Sequence, residues 1–124
     1  MNKLTSLQLL DFILESIILI KKRFINIKNA DDFLDNDDSL TRLEAILMRL
    51  QASGEALKNL SKRDNEFLLK TGSKEYWSNI IRMRDLISHH YTDLQADEVF
   101  DICQNKLDEL NEKILKLKEI IKWD

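Results

Sequence analysis

Arg84-Asp85-Leu86-Ile87-Ser88-His89-His90-Tyr91 places a permanent cation, two imidazoles and a phenol within eight residues. Arginine holds a phosphate through a planar fork of donors. Histidine moves a proton near neutral pH. Tyrosine adds an aromatic face and a hydroxyl. Together these are the parts of a phosphate-handling site, and both histidines of the chain are among them. The matching reaction is cleavage of an RNA phosphodiester. His89 would take the proton of a 2′-hydroxyl, which attacks the adjacent phosphorus, while Arg84 neutralises charge growing on the phosphoryl oxygens. This chemistry uses no cofactor and no metal. The carboxylates and histidines show no convincing ligand spacing.

Each part also has a plainer role. An arginine in a helical bundle commonly bridges to a carboxylate. A histidine near a helix end commonly caps it and meets the dipole. Tyr91 on an apolar face is commonly core, as is a lone cysteine such as Cys103. On a regular helix, Arg84 and His89 are separated by roughly 140°. Convergence therefore requires the helix to loosen after about Ser88, or a second copy of the chain to complete the site.

The elements that must position these residues are helical. The chain has two glycines and no proline in 124 residues, too few for a many-turned β protein. It is expected to form a single domain over residues 1–124, with enough length for one modest core. A net charge of −3 argues against broad duplex binding. The segment from Lys70 to Tyr91 is more positive than the whole, with Lys70, Lys74, Arg82 and Arg84 against Glu75 and Asp85. A single cysteine excludes an intrachain disulfide and a Cys-rich zinc site. The longest apolar run, Ile17 to Ile20, is too short for a membrane span or a signal-peptide core, so a cytoplasmic protein without a membrane partner is expected.

The first helix is predicted from about Thr5 to Ile27. Its stripe is Leu10, Leu14, Ile17, Lys21 and Phe24, widened by Ile13, Ile18, Ile20 and Ile25. Asn29 to Asp38 reads as an acidic linker with one helical turn, anchored by Phe33 and Leu34. Asp38 or Ser39 is a plausible cap for a second helix with Leu40, Leu43, Leu47, Leu50, Gly54 and Leu57 inward. The bare Gly54 would admit a close neighbour. Ser61 to Gly72 reads as a turn region anchored by Phe67, Leu68 and Leu69. Ser73 caps a third helix whose stripe is Trp77, Ile80, Arg84, Ile87 and Tyr91, which sets a guanidinium among large apolar side chains. Thr92-Asp93 resembles a turn. The last helix runs from about Ala96 to Lys122, with Val99, Cys103, Leu107, Leu110, Ile114, Leu117 and Ile121 inward. The fold class is all-α, an up-down bundle of four to five helices.

The motif resembles a known family. Arg84, four residues, His89, one residue and Tyr91 match the R-x4-H-x-Y motif of the HepT toxins, within the HEPN superfamily. Tyr76-Trp77-Ser78-Asn79-Ile80-Ile81-Arg82-Met83-Arg84-Asp85 resembles the family's approach to that motif, W-x-x-I-x-x-M-R followed by Asn or Asp. Val99-Phe100 and Gly54-Glu55-Ala56 match further positions, so the resemblance covers nearly the whole chain. It implies a HEPN-like homodimer with both R-x4-H motifs in one cleft. It implies a metal-independent endoribonuclease acting on RNA, with Arg84 and His89 as the catalytic pair and Asp85, Ser88 and His90 as orienting residues. It also implies a toxin–antitoxin pair whose antitoxin is a minimal nucleotidyltransferase, which transfers AMP from ATP to Tyr91. The chain departs from the family at His90, commonly Gly, Glu or Arg, at Thr92-Asp93, and in lacking a Pro before the Trp. Some HEPN proteins bind without cutting, so a non-catalytic helical module that binds a nucleotidyltransferase partner or RNA is the second reading. A bundle whose stripe residues simply dimerise is the third.

Overall fold

Small polar side chains set where the helices begin. Asn2 Oδ1 accepts from the Thr5 N–H at 3.2 Å, Asn36 Oδ1 from the Ser39 N–H at 2.8 Å, and Ser73 Oγ from the Tyr76 N–H at 3.0 Å. The structure, a computed structural model, describes residues 2–88 and 92–123. Among these residues the α-helices are α1 (Lys3–Phe24), α2 (Asp37–Arg63), α3 (Lys74–Ile81), α4 (Thr92–Asn105) and α5 (Leu107–Trp123). Short 3-10 helices occupy Ala30–Leu34, Leu68–Lys70 and Arg82–Ser88, and no described residue is in a strand. The all-α expectation holds.

Several boundaries differ from the sequence reading. Asn36, rather than Asp38 or Ser39, caps α2, which leaves Asp37 and Asp38 in the first turn facing the positive end of the dipole. α1 stops at Phe24, short of Ile27, where Asn26 takes a left-handed φ of 72° that asparagine tolerates well. α2 runs on to Arg63, through part of the segment read as a turn. Beyond it Phe67 and Leu68 anchor the chain in the core, whereas Leu69 is 47% exposed. Thr92, expected in a turn, begins α4.

The last helix is split. Its buried residues run Ala96, Val99, Ile102 and then Leu107, Leu110, Ile114. The step from Ile102 to Leu107 turns a continuous α-helix by roughly 140° away from the core. The interruption at Lys106 resets that phase. Backbone bonds from Lys106 N–H to Ile102 C=O (2.9 Å) and from Leu110 N–H to Lys106 C=O (3.2 Å) keep the two pieces joined. Cys103, expected on the inner stripe, is half-buried beside Ile102, and burial pushes its thiol pKa up to about 12. It is protonated at neutral pH and unsuited to nucleophilic work.

α1 and α2 pack antiparallel. Arg42 Nη1 reaches the Ile25 carbonyl (3.2 Å) and Arg49 Nη1 reaches Ser16 Oγ (3.3 Å), so residue numbers rise on one helix as they fall on the other. The α1 face is Leu10, Ile13, Ile17 and Ile20 with the small Ser6 and Ser16, while Ile18 and Ile25 point outward. α5 lies antiparallel along α1, marked by Lys118–Asp11 at 2.6 Å and a Lys21–Asp108 ion pair. Such exposed pairs add little energy but report the register. The linker contributes Phe33, which is fully buried and packs on Phe24 with centroids 6.1 Å apart. Phe24 in turn meets Phe100 of α4 at 5.4 Å. No helix of the described residues is long and apolar enough to cross a membrane.

Truncating a buried Phe removes its transfer free energy and leaves a cavity. Phe33→Ala is therefore expected to cost about 3–5 kcal/mol in urea unfolding, while Phe12, only half-buried beneath the Arg49 guanidinium, should tolerate the same change better.

Candidate functional site

The segment carrying the candidate residues is pinned first at Trp77. Its indole Nε1 donates to the Leu68 carbonyl at 2.6 Å. Gly72 leaves room for the ring, since a Cβ there would lie 2.8 Å from Nε1. Tyr76 packs edge-on against Trp77 at 5.0 Å, under the Lys113 ammonium, 4.8 Å from the ring centroid. Burial, and then the Glu109 carboxylate, raise the Tyr76 phenol above its ordinary pKa.

From Trp77 onward the buried residues are Ile80, Met83 and Leu86, one in every three. A line with period three drifts around an α-helix but stays on one face of a 3-10 helix, which has 3.0 residues per turn. The chain tightens to 3-10 geometry at Arg82, and Met83 and Leu86 go inward. Of the expected stripe of Trp77, Ile80, Arg84, Ile87 and Tyr91, the first two are buried and Arg84 is corrected, while the Ile87 side chain and Tyr91 lie outside the described residues. Arg84 lies beside the buried line, its side chain 35% exposed. The regular helix also ends earlier than the expected loosening after Ser88, because α3 closes at Ile81.

Gly54 of α2 sets how near this segment comes. A Cβ at Gly54 would lie 2.7 Å from Arg84 N and 3.0 Å from Ile81 O. The expected close approach at Gly54 is therefore found, and its neighbour is the backbone that carries Arg84. The next residue on α2, Glu55, places Oε1 3.5 Å from Arg84 Nη1, and Asp85 Oδ1 lies 3.8 Å from Arg84 Nε. Both separations exceed the ~2.7–2.9 Å of a charge-assisted hydrogen bond. Both carboxylates are mostly exposed. Solvated pairs of this kind contribute about 0–1 kcal/mol. The guanidinium is thus steered by two acids without being locked to either, and a phosphate with bidentate geometry can compete for it. Gln95 Nε2 of α4 donates to the Leu86 carbonyl at 3.2 Å and ties the segment to the next helix.

The structure thus brings together Arg84, Asp85 and Glu55. His89, His90 and Tyr91 lie outside the described residues, as does the Ser88 side chain. Glu55 received no role in the sequence reading. The available signal was its place beside a helical glycine, where a neighbouring element must come close.

A family model described as ribonuclease HepT-like matches residues 13–117. Two proteins of Methanocaldococcus jannaschii are similar in sequence. One, described as a gamma-glutamylcyclotransferase and candidate RNase MJ0434, is 32% identical over 110 residues, covering 89% of this chain and 46% of the relative. The other, a candidate RNase MJ0127, is 33% identical over 99 residues, covering 80% of this chain and 74% of the relative. The chain thus spans less than half the length of the first relative and about three quarters of the second. No solved structure matches the chain.

The Gly54 contact can be tested directly. Alanine would gain about 1 kcal/mol of helix propensity. A carbon 2.7 Å from a backbone nitrogen pushes two backbones apart. Overpacking of that kind costs about 1–3 kcal/mol. Gly54→Ala is expected to lower stability by a net of up to ~2 kcal/mol in urea unfolding. Unchanged or raised stability would show that the segment can retreat freely.

Proposed function

Because the chain belongs to the ribonuclease HepT-like family, we propose that it is a metal-independent endoribonuclease, the toxin of a toxin–antitoxin pair, with Arg84 and His89 as its catalytic residues. The observation that carries this reading is the Arg84 guanidinium, one-third exposed and only loosely paired with Glu55 and Asp85. It is a cation placed to accept an anionic ligand. In the proposed step the His89 imidazole removes the proton of a 2′-hydroxyl, and the 2′-oxygen attacks the adjacent phosphorus. The 5′-oxygen leaves with a proton returned by the imidazolium, giving a 2′,3′-cyclic phosphate. Arg84 offsets charge on the non-bridging oxygens. Asp85 steers Arg84 from its Nε side, and Ser88 and His90 flank the imidazole in sequence.

Two copies of the chain form the cleft in this reading, as a homodimer that presents both motifs to one RNA strand. A minimal nucleotidyltransferase partner controls it. The Tyr91 hydroxyl attacks the α-phosphorus of ATP, pyrophosphate leaves, and the resulting AMP ester adds negative charge and bulk at the mouth of the proposed cleft. RNA is repelled and blocked by the same group.

Arg84→Ala is expected to reduce cleavage of single-stranded RNA by about 10²–10³-fold. His89→Ala is expected to reduce it by about 10²–10⁴-fold. Both should leave the circular dichroism spectrum unchanged, and wild-type cleavage should persist in excess EDTA. Retained cleavage in both variants would remove the mechanism, and RNA binding without cleavage by the wild type would make the chain a binding module. Tyr91→Phe should still cut RNA but acquire no AMP on co-expression with the nucleotidyltransferase, as read by intact mass. Modification of that variant at another residue would move the control site elsewhere.

A further inference from the structure

The seam that carries Arg84 does not end there. Ile81 O sits over Gly54, three residues before Arg84, and the Ile81 side chain lines a cleft of about 400 Å³ between the C-terminal half of α2 and the start of α3. α2 and this segment run antiparallel, so stepping from Gly54 towards Lys58 and Ser61 on α2 means stepping back from Arg84 towards Ile81 and Ser78. Glu55, which marks the guanidinium, and Lys58 are i and i+3 on α2 and so neighbours on its surface. The cleft therefore lies next to the Arg84 site, along the same pair of elements.

Its lining suits a nucleotide. Lys58 and Lys74 face it from opposite walls, and neither has an ion-pair partner among the described residues. Lys58 is half-buried. Ser61, Asn65 and Ser78 also line the cleft, and none of their side chains hydrogen-bonds another described residue. They offer donors and acceptors to a base edge or a ribose. Leu69, 47% exposed, supplies an apolar surface for a base, backed by the buried Trp77. Glu66 is the one carboxylate in the lining, and it pairs with neither lysine. The size is that of a small-ligand site.

We infer that this cleft is a nucleotide subsite for single-stranded RNA, in which Lys58 and Lys74 hold a backbone phosphate next to the one at Arg84. The inference rests on the ribonuclease reading for what happens at Arg84, but the cleft's affinity for RNA does not. The chain's net charge is −3, so a strand would be held by this local track of cations and not by the whole surface.

The test uses the full chain, as wild type, K58E/K74E and the milder K58Q/K74Q. Binding of a short fluorescein-labelled single-stranded RNA is followed by anisotropy over a salt series. Cleavage is measured on the same RNA and on a dinucleotide that has no phosphate to place in the cleft. K58E/K74E is expected to bind at least about tenfold more weakly. Its salt dependence should flatten by about 0.7 for each phosphate that is no longer neutralised. K58Q/K74Q should fall between, with a KM rise on the longer RNA and no change on the dinucleotide. Wild-type binding that the double substitution abolishes, without any cleavage, keeps the subsite and removes the ribonuclease reading. Cleavage that is equal in all three proteins on the longer RNA overturns the subsite and leaves that reading standing. Absence of wild-type binding, or equal binding by all three, also overturns the subsite.

Discussion

A single hydrogen atom where any other residue carries a carbon sets the distance between α2 and the segment that holds Arg84. At Gly54 the backbone of that segment comes so close that Arg84 N would stand 2.7 Å from a Cβ. The remaining geometry follows from this contact. With the backbone so near α2, Met83 and Leu86 enter the core at a spacing of three, the chain tightens to a 3-10 helix, and Arg84 is displaced to the margin of the buried face. From there its guanidinium meets Glu55, the neighbour of the same glycine. Packing and electrostatics at the site thus share one origin on α2.

The charges around Arg84 leave this acidic protein a cation that is open to an anion. Glu55 and Asp85 stand close enough to orient the guanidinium and far enough to leave its hydrogen-bonding fork unsatisfied. Two well-made carboxylate pairs would have closed the site, and none would have left a flexible arginine without direction. A cation held in this intermediate way is oriented beforehand, which would lower the ordering cost of taking up a phosphate.

Much of the architecture was legible in the residue pattern. The buried faces of α1, α2 and α5 largely follow their apolar periodicity, the Ser73 cap is where it was expected, and Phe33 anchors the acidic linker. The family, too, was visible in the spacing from Trp77 to Tyr91 together with Gly54-Glu55-Ala56. The errors have physical causes. Asn36, Asp37, Asp38 and Ser39 can all cap a helix, and local chemistry does not choose among them. Arg84 and Met83 both fit an apolar line from Ile80, at steps of four and three. Only the tertiary contact at Gly54 selects the tighter one. The break near Lys106 has no glycine or proline to announce it and is forced by the distance between Ile102 and Leu107. Glu55 was overlooked because an exposed glutamate on a helix is ordinary until its cross-helix neighbour is known. His89, His90 and Tyr91 lie outside the described residues, so their part of the site rests on the motif alone.

The interruption at Lys106 divides labour between the helices it separates. α4 packs against the 3-10 turn at Ala30–Leu34 and the Arg84 segment, whereas α5 lies chiefly along α1. Since the two buried faces no longer share a common rotation, each can evolve its own fit. The flank of the Arg84 segment can be recontoured by substitution in α4 while the brace formed by α1 and α5 keeps its alignment, so one side of a small protein can vary without rebuilding its frame.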